Sequence, residues 1–292
     1  MAVLQMQRIS ICALKKDRKQ ILELLQRRGA VELTDLPLQD QVFGKPDTQE
    51  QKSLFEKAAS TASQAVEVLN EYVPEKSSMF AMFEGRRAIS AKEYDALCGK
   101  RDEISETASH LVSLSKKIAE NRAELVKLQT QLDQLAPWAG LDVSMRFTGT
   151  RTTAAFIGSF AEPLTLEELY RRVAELAPEV QAVNIDLISQ SNEQTCIMAV
   201  VPRGDAPALE EALRSMGFMR PPSPSKLPPA EQISMLSQQV KEAEVAVQSA
   251  QAEIISQAKA RESLLFLSDY YTMRAERYQA IGCLSQSRST FL

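Results

Sequence analysis

The sequence predicts an α+β protein: a long antiparallel helical coiled coil or bundle forming a rod, with α/β lobes at its ends, the distal one ferredoxin-like. Three observations predict this. Ile104, Leu111, Ile118, Leu125 and Leu132 are apolar at heptad spacing, with Thr107, Leu114, Asn121, Leu128 and Leu135 as companions. A second run, Ile233, Val240, Val247 and Ile254 with Leu236, Ala243 and Ala250, repeats the pattern further on. Sustained heptads mean helices whose apolar seam meets another helix. Between the two runs, about 138–227, the apolar period becomes that of short strands and helices.

The N-terminus reads strand, helix, strand. Val3–Cys12 is apolar-rich and partly alternating, and Lys15–Arg28 places Ile21, Leu22, Leu24 and Leu25 on one helical face. Gly29 stands where a helix C-terminus favours glycine, and Ala30–Leu33 reads as a second strand. Such a unit buries too little surface to stand alone and needs further sheet from elsewhere. After a polar loop over 34–50, a helix runs from about Gln49 to Tyr72, with Leu54, Ala58, Ala62, Ala65, Val68, Leu69 and Tyr72 on one side. Pro74 stops it. The connector that follows gathers Met79, Phe80, Met82 and Phe83 before Gly85. Ser90 with Glu93 reads as a capping box, and one helix is expected from there to Leu135, before Pro137. At 1.5 Å per residue, about 46 residues span roughly 70 Å.

In the middle segment, TTAAFIGSF (Thr152–Phe160) suits a strand. Thr165 with Glu168 caps a helix bearing Leu166, Leu169, Val173 and Leu176. Val180–Ile188 alternates as a half-buried strand does, Ser191-Asn192 marks a turn, and Thr195–Val201 is the next strand. Ala206–Met216 is a second helix ended by Gly217, and Phe218–Arg220 adds a short last strand. The order β-α-β-β-α-β is the ferredoxin-like arrangement. The proline-rich joint PPSPSKLPP (221–229) leads into a return helix from Pro229 to about Ile281. Its stripe broadens after Arg261 through Leu264, Leu265, Leu267, Tyr270 and Tyr271, which predicts more than one neighbour there.

Folded back antiparallel, Leu132 faces Ile233–Leu236, Leu125 faces Val240–Ala243, Ile118 faces Val247–Ala250, and Leu111 faces Ile254–Gln257. Large residues then meet β-branched residues and alanines, which interdigitate without voids. Asn121 in the seam would specify register at some cost in stability. The expected divisions are 1–48 (a partial α/β lobe), 49–136 (outgoing helices), 137–228 (distal lobe), 229–285 (return helix) and 286–292 (the start of a further segment beside the first lobe).

The residues offer little catalytic chemistry. Net charge is −4, with basic residues scattered among acidic ones, so there is no nucleic-acid footprint. No apolar run reaches the roughly 18 residues that cross a bilayer, and the first ten residues do not read as a secretory signal. Cys12, Cys98, Cys196 and Cys283 are far apart and form no zinc pattern, which fits free thiols in a reducing compartment. The one histidine, His110, flanks the seam. Glycine-rich phosphate loops are absent. The pairs Glu167-Glu168 and Glu210-Glu211 lie on solvated helix faces, where adjacent side chains diverge and do not converge on a substrate. No metal or cofactor is expected.

Three segments carry a family resemblance: MQRISICALKKDRKQILELLQRRGAVEL, FEGRRAIS followed by Glu93-Tyr94, and APWAGLDVSMRFTGTRTTAAFIGSF after a heptad helix. They resemble the start of subunit I, the bacterial and archaeal counterpart of eukaryotic subunit a in V-type rotary ATPases and ATP synthases. The resemblance runs over essentially all 292 residues and rests on the order and spacing of these segments. It implies the cytoplasmic half of a membrane subunit, lying at the cytoplasmic face of the membrane. That half is a non-catalytic stator scaffold. Its lobes hold peripheral-stalk heterodimers of E/G type, and it joins the membrane sector and rotor ring through a half not in this chain. It is expected to be monomeric in isolation, without nucleic acid or small-molecule substrate. Partner contacts are expected at Glu168, Arg171, Arg172 and Glu175, and at the connector residues Met79, Phe80, Met82 and Phe83. The competing readings are a ferredoxin-like regulatory ligand-binding module on a coiled coil, and an unrelated coiled-coil tether. Against the former, the loop Ala161-Glu162-Pro163-Leu164 lacks the glycines of a sensor loop.

Overall fold

The computed structural model describes residues 6–34, 42–74 and 88–292. The chain forms two compact units, Met1–Lys117 with Ala250–Leu292, and Ile118–Ser249. Long helices and two small antiparallel sheets make it an α+β protein.

In the first unit the strand expected over Val3–Cys12 is not formed among its described residues 6–12, and the strand that does form lies just beyond it. Only β1 (Ala13–Leu14) is strand, and residues 6–12 and 30–34 form none. β1 pairs antiparallel with β5 (Thr290–Phe291), and Gln286 bridges Gly44. The further sheet that the N-terminus requires therefore comes from the far end of the chain. Helix α1 (Arg18–Arg28) stops at Gly29, whose φ of 63° is the left-handed turn that glycine adopts without strain. Leu22 of α1 packs with Ile281, Leu284 and Phe291.

Helix α2 (Gln49–Tyr72) buries Ala62, Ala65, Val66, Val68 and Leu69. Phe55 turns to the neighbouring helix, whereas Leu54, expected on that face, is exposed. The helix expected over 90–135 is two: α3 (Ala91–Gly99) and α4 (Arg101–Leu135). Gly99, a poor helix former, ends the first, and Lys100 departs from helical geometry with ψ of 7°. The Ser90 hydroxyl caps α3 by accepting from the Glu93 N–H. The return helix is also interrupted. α7 (Pro229–Ser256) passes through a 3₁₀ turn at Gln257–Ala260 into α8 (Arg261–Cys283). QAKA has no propensity against helix. The break coincides with burial of Arg261, whose guanidinium donates to the carbonyls of Leu69 and Val73 at the end of α2. α8 meets α2 through Phe55 stacking on Tyr271 and Tyr278, α3 through Tyr94 against Phe266, and α1 through Arg277. Leu265, expected in its broadened stripe, is exposed.

The second unit contains a three-stranded sheet in the order β2 (Thr153–Phe160), β4 (Thr195–Pro202), β3 (Asn184–Gln190), all antiparallel. α5 (Leu166–Leu176) follows β2, and α6 (Ala206–Ser215) follows β4. β3 starts at Asn184, later than the expected Val180, and has a register shift between Leu187 and Ser189. The expected last strand is a single bridge, Ser159 to Met219, on the open side of β2. Strand alternation sorts the sheet's two faces. Phe156, Phe160, Ile185, Ile197, Ala199 and Val201 pack under Leu169 and Val173 of α5 and Leu209 and Leu213 of α6. Ile157, Cys196 and Met198 turn to the opposite face, where Trp138, Leu141 and Met145 join Leu128 and Leu135 of α4 and Leu236 of α7.

Within each unit the heptad positions of α4 and α7 turn inward. Ile104, Leu111, Leu114, Ala250 and Ile254 are buried in the first, and Leu132, Ile233, Leu236 and Val240 share one apolar cluster in the second. His110 bonds Glu253 in the first unit, which ties α4 to α7 there.

Candidate functional site

Four of the residues expected to meet a partner stand on α5, the most amphipathic short helix of the second unit. Its inner face is fixed by Leu169, fully buried, and Val173. Its N-terminus carries a complete capping box: the Thr165 hydroxyl accepts from the Glu168 N–H, and the Glu168 carboxylate accepts from the Thr165 N–H and hydroxyl at 2.9 Å each. Those bonds, rather than the nearby Arg171 and Arg172, are the main reason the Glu168 carboxyl titrates below its ordinary value. Glu168 is thereby committed to its own helix. Arg172 is committed too, donating to Glu162 at 2.6 Å across the loop that leads into α5. Arg171 and Glu175 are exposed and carry no ion pair among the described residues. They are four apart on one face, where a partner helix could read one positive and one negative charge. Met79, Phe80, Met82 and Phe83 lie outside the described residues.

The loop before α5 is fastened by Thr195. Its hydroxyl, fully buried, donates to the Glu162 carbonyl and accepts from the Leu164 N–H, both at 2.8 Å. Gln190 donates to the Leu164 carbonyl from the neighbouring strand. The α5 surface is therefore held from below by β3 and β4.

Below the sheet a cleft of about 640 Å³ opens between the end of α4 and the proline-rich joint. Leu135, Trp138, Met145 and Met219 supply its apolar part, and Gln131, Gln134, Gln194 and Gln232 line its polar part. Nothing in it pairs a nucleophile with a base. Among the described residues no group of three or more His, Cys, Asp or Glu side chains could hold a metal, and no helix is long and apolar enough to cross a membrane.

Two features escaped the sequence reading. His110 and Glu253 pair at 2.7 Å, both about half exposed. Each directly precedes a seam residue, Leu111 and Ile254, which is the flanking position where antiparallel helices exchange charged contacts; that spacing was the signal available. The second is the setting of Arg274 among aromatic rings in the first unit. Tyr270 stands four residues before it on the same helix, but the Phe55 ring comes from a helix far away in the chain and left no sequence signal.

The fold and surface thus define a helical α+β protein with small sheets and an exposed charged helix face. Compared with solved structures, the chain is similar to the crystal structure of the cytoplasmic N-terminal domain of subunit I, homolog of subunit a, of V-ATPase, at 17% sequence identity and a TM-score of 0.49, over 96% of this chain and 90% of that one. No protein-family model matches the chain, and no curated protein matches it.

Proposed function

We propose that this chain is the cytoplasmic stator part of subunit I in a rotary V-type ATPase or ATP synthase. In this reading it links peripheral stalks to the ion-translocating membrane sector and resists torque. The observation that carries the proposal is that heptad helices distant in sequence meet within each unit, through His110 bonded to Glu253 in the first and through Leu128 and Leu135 clustered with Leu236 in the second. A seam of this kind is stiff along its axis and supplies no chemistry, which suits a mechanical element. The three segments of sequence resemblance point the same way. The second unit, with strand order Met219 bridge, β2, β4, β3 and helices on one face, is a ferredoxin-like lobe in this reading. Arg171 and Glu175 on its α5 meet the stalk, and the chain works at the cytoplasmic face of the membrane.

The test is a calorimetric titration of the chain with its organism's peripheral-stalk heterodimer. The control carries Arg171→Glu and Glu175→Lys, exposed changes that leave the core alone. Saturable binding that weakens about fivefold or more in the control supports the reading, since rim charges are worth up to about 1 kcal/mol each. A folded, monomeric chain that binds no stalk at tens of micromolar would remove it.

A further inference from the structure

Arg274 sits in the first unit under conditions that helix packing alone does not require. Its guanidinium carbon lies 5.3 Å from the Phe55 ring centroid on α2 and 5.6 Å from that of Tyr270 on its own helix. Its Nε is shut off from solvent and meets no acceptor. No carboxylate pairs with it among the described residues. Its cationic neighbours differ in this respect. Arg277 holds Glu23 at 2.6 Å and Gln26, and Arg101 holds Asp102 at 3.0 Å. Arg101 also lies close enough to the Tyr270 hydroxyl to interact with it electrostatically, so a second cation stands near the ring that Arg274 covers.

Two guanidiniums drawn to one tyrosine repel each other, and an unpaired, partly desolvated donor is costly. A pure packing role would suit methionine better at this position, since it fills a slot between rings without a charge or a polar N–H. What arginine adds is a planar cation held rigidly by two aromatic faces, its rotamer freedom already lost.

We propose that Arg274, seated between Phe55 and Tyr270, is a docking point for a single carboxylate, an aspartate or glutamate of a partner protein. One positive charge with no carboxylate partner among the described residues matches one carboxylate, whose two oxygens suit the guanidinium fork. A polyphosphate would need further free cations, and Arg101 and Arg277 are already partnered. The site lies in the unit opposite in sequence to α5, so it goes beyond the stalk contact proposed above and does not depend on it.

The test uses the full chain, with hexaglutamate as the probe at low salt, followed through the Arg274 Nε–H resonance, which Arg274→Met identifies by its disappearance. The expected result is a saturable shift of that resonance. Affinity, read for wild type and both variants by calorimetric titration with the same peptide, should fall about tenfold in Arg274→Met and by a lesser factor in Arg274→Lys, which keeps the charge and loses the fork. The melting temperature of Arg274→Met should hold or rise, because the variant removes an unpaired donor and keeps the apolar stem. Should that variant not fold, the wild-type shift and Arg274→Lys decide the matter. No shift at several millimolar peptide would overturn the proposal, as would equal affinity in a folded Arg274→Met. Inorganic phosphate binding more tightly than the peptide at matched ionic strength would overturn the carboxylate assignment.

Discussion

Thr195 concentrates several roles in one buried hydroxyl. It ties the Glu162 carbonyl and the Leu164 N–H together beneath the loop that launches α5. Thr195→Val keeps the shape and strands both partners, so we expect a loss of about 1–3 kcal/mol in urea unfolding. An unchanged midpoint would mean that water replaces the hydroxyl. Glu168 makes a prediction in pH. Its carboxyl is held below the ordinary glutamate value, mainly by the backbone and hydroxyl of Thr165. A depressed folded pKa adds stability that is complete above the unfolded pKa and disappears as pH falls through the folded one. Glu168→Gln should therefore lower the melting temperature at neutral pH, with the gap from wild type closing as the solution is acidified below the ordinary glutamate range. Parallel melting curves at all pH values would show that the capping bonds do not contribute. Neither effect is visible in composition. The capping box was legible in Thr165 and Glu168, four positions read together, whereas the partner of Thr195 is set by sheet register.

At the scale of elements, the breaks matter more than the helices. Gly99 marks one in the sequence; nothing in QAKA marks the other. Arg261 supplies the physical reason, because it is 8% exposed and its guanidinium donates to the last carbonyls of α2. The Leu69 carbonyl already accepts from the Val73 N–H, so the buried cation adds a second bond to it, supplies the Val73 carbonyl beyond the helix, and complements the negative end of the helix dipole. Arg261→Met should cost about 1–3 kcal/mol. It should also raise hydrogen exchange at the C-terminal turn of α2 more than elsewhere in the first unit. Uniform protection loss would assign Arg261 to general packing instead. The β1–β5 pairing carries a related lesson. Alternation over Val3–Cys12 predicted a long strand, but none of the described residues 6–12 is strand, and the pairing with β5 falls on Ala13 and Leu14, just past that range. Hydrophobic period reports a tendency; hydrogen-bond partners decide the length.

At the scale of the whole molecule, heptad spacing should separate costly positions from neutral ones. Leu111 is fully buried at a heptad position, whereas Val126, apolar but outside the heptad, is 69% exposed. Leu111→Ala should cost about 2–5 kcal/mol through lost burial and the cavity left behind. Val126→Ala should stay within roughly 0.5 kcal/mol. Equal costs would mean that the heptads do not mark the packed face. The sequence by itself determined the periods: which residues of α4 and α7 turn inward, the alternation of β2 and β4, the cap of α5, and the glycine that ends α1. These are local, because a helix repeats every 3.6 residues and a strand every two whatever lies nearby. Only the tertiary structure decided what came from elsewhere in the chain. That includes the far-end strand that completes the first sheet, the arginine that breaks the return helix, and the Phe55 ring that meets Arg274. Each of these joins residues separated by most of the chain, and no pattern within a segment records who its distant neighbour will be.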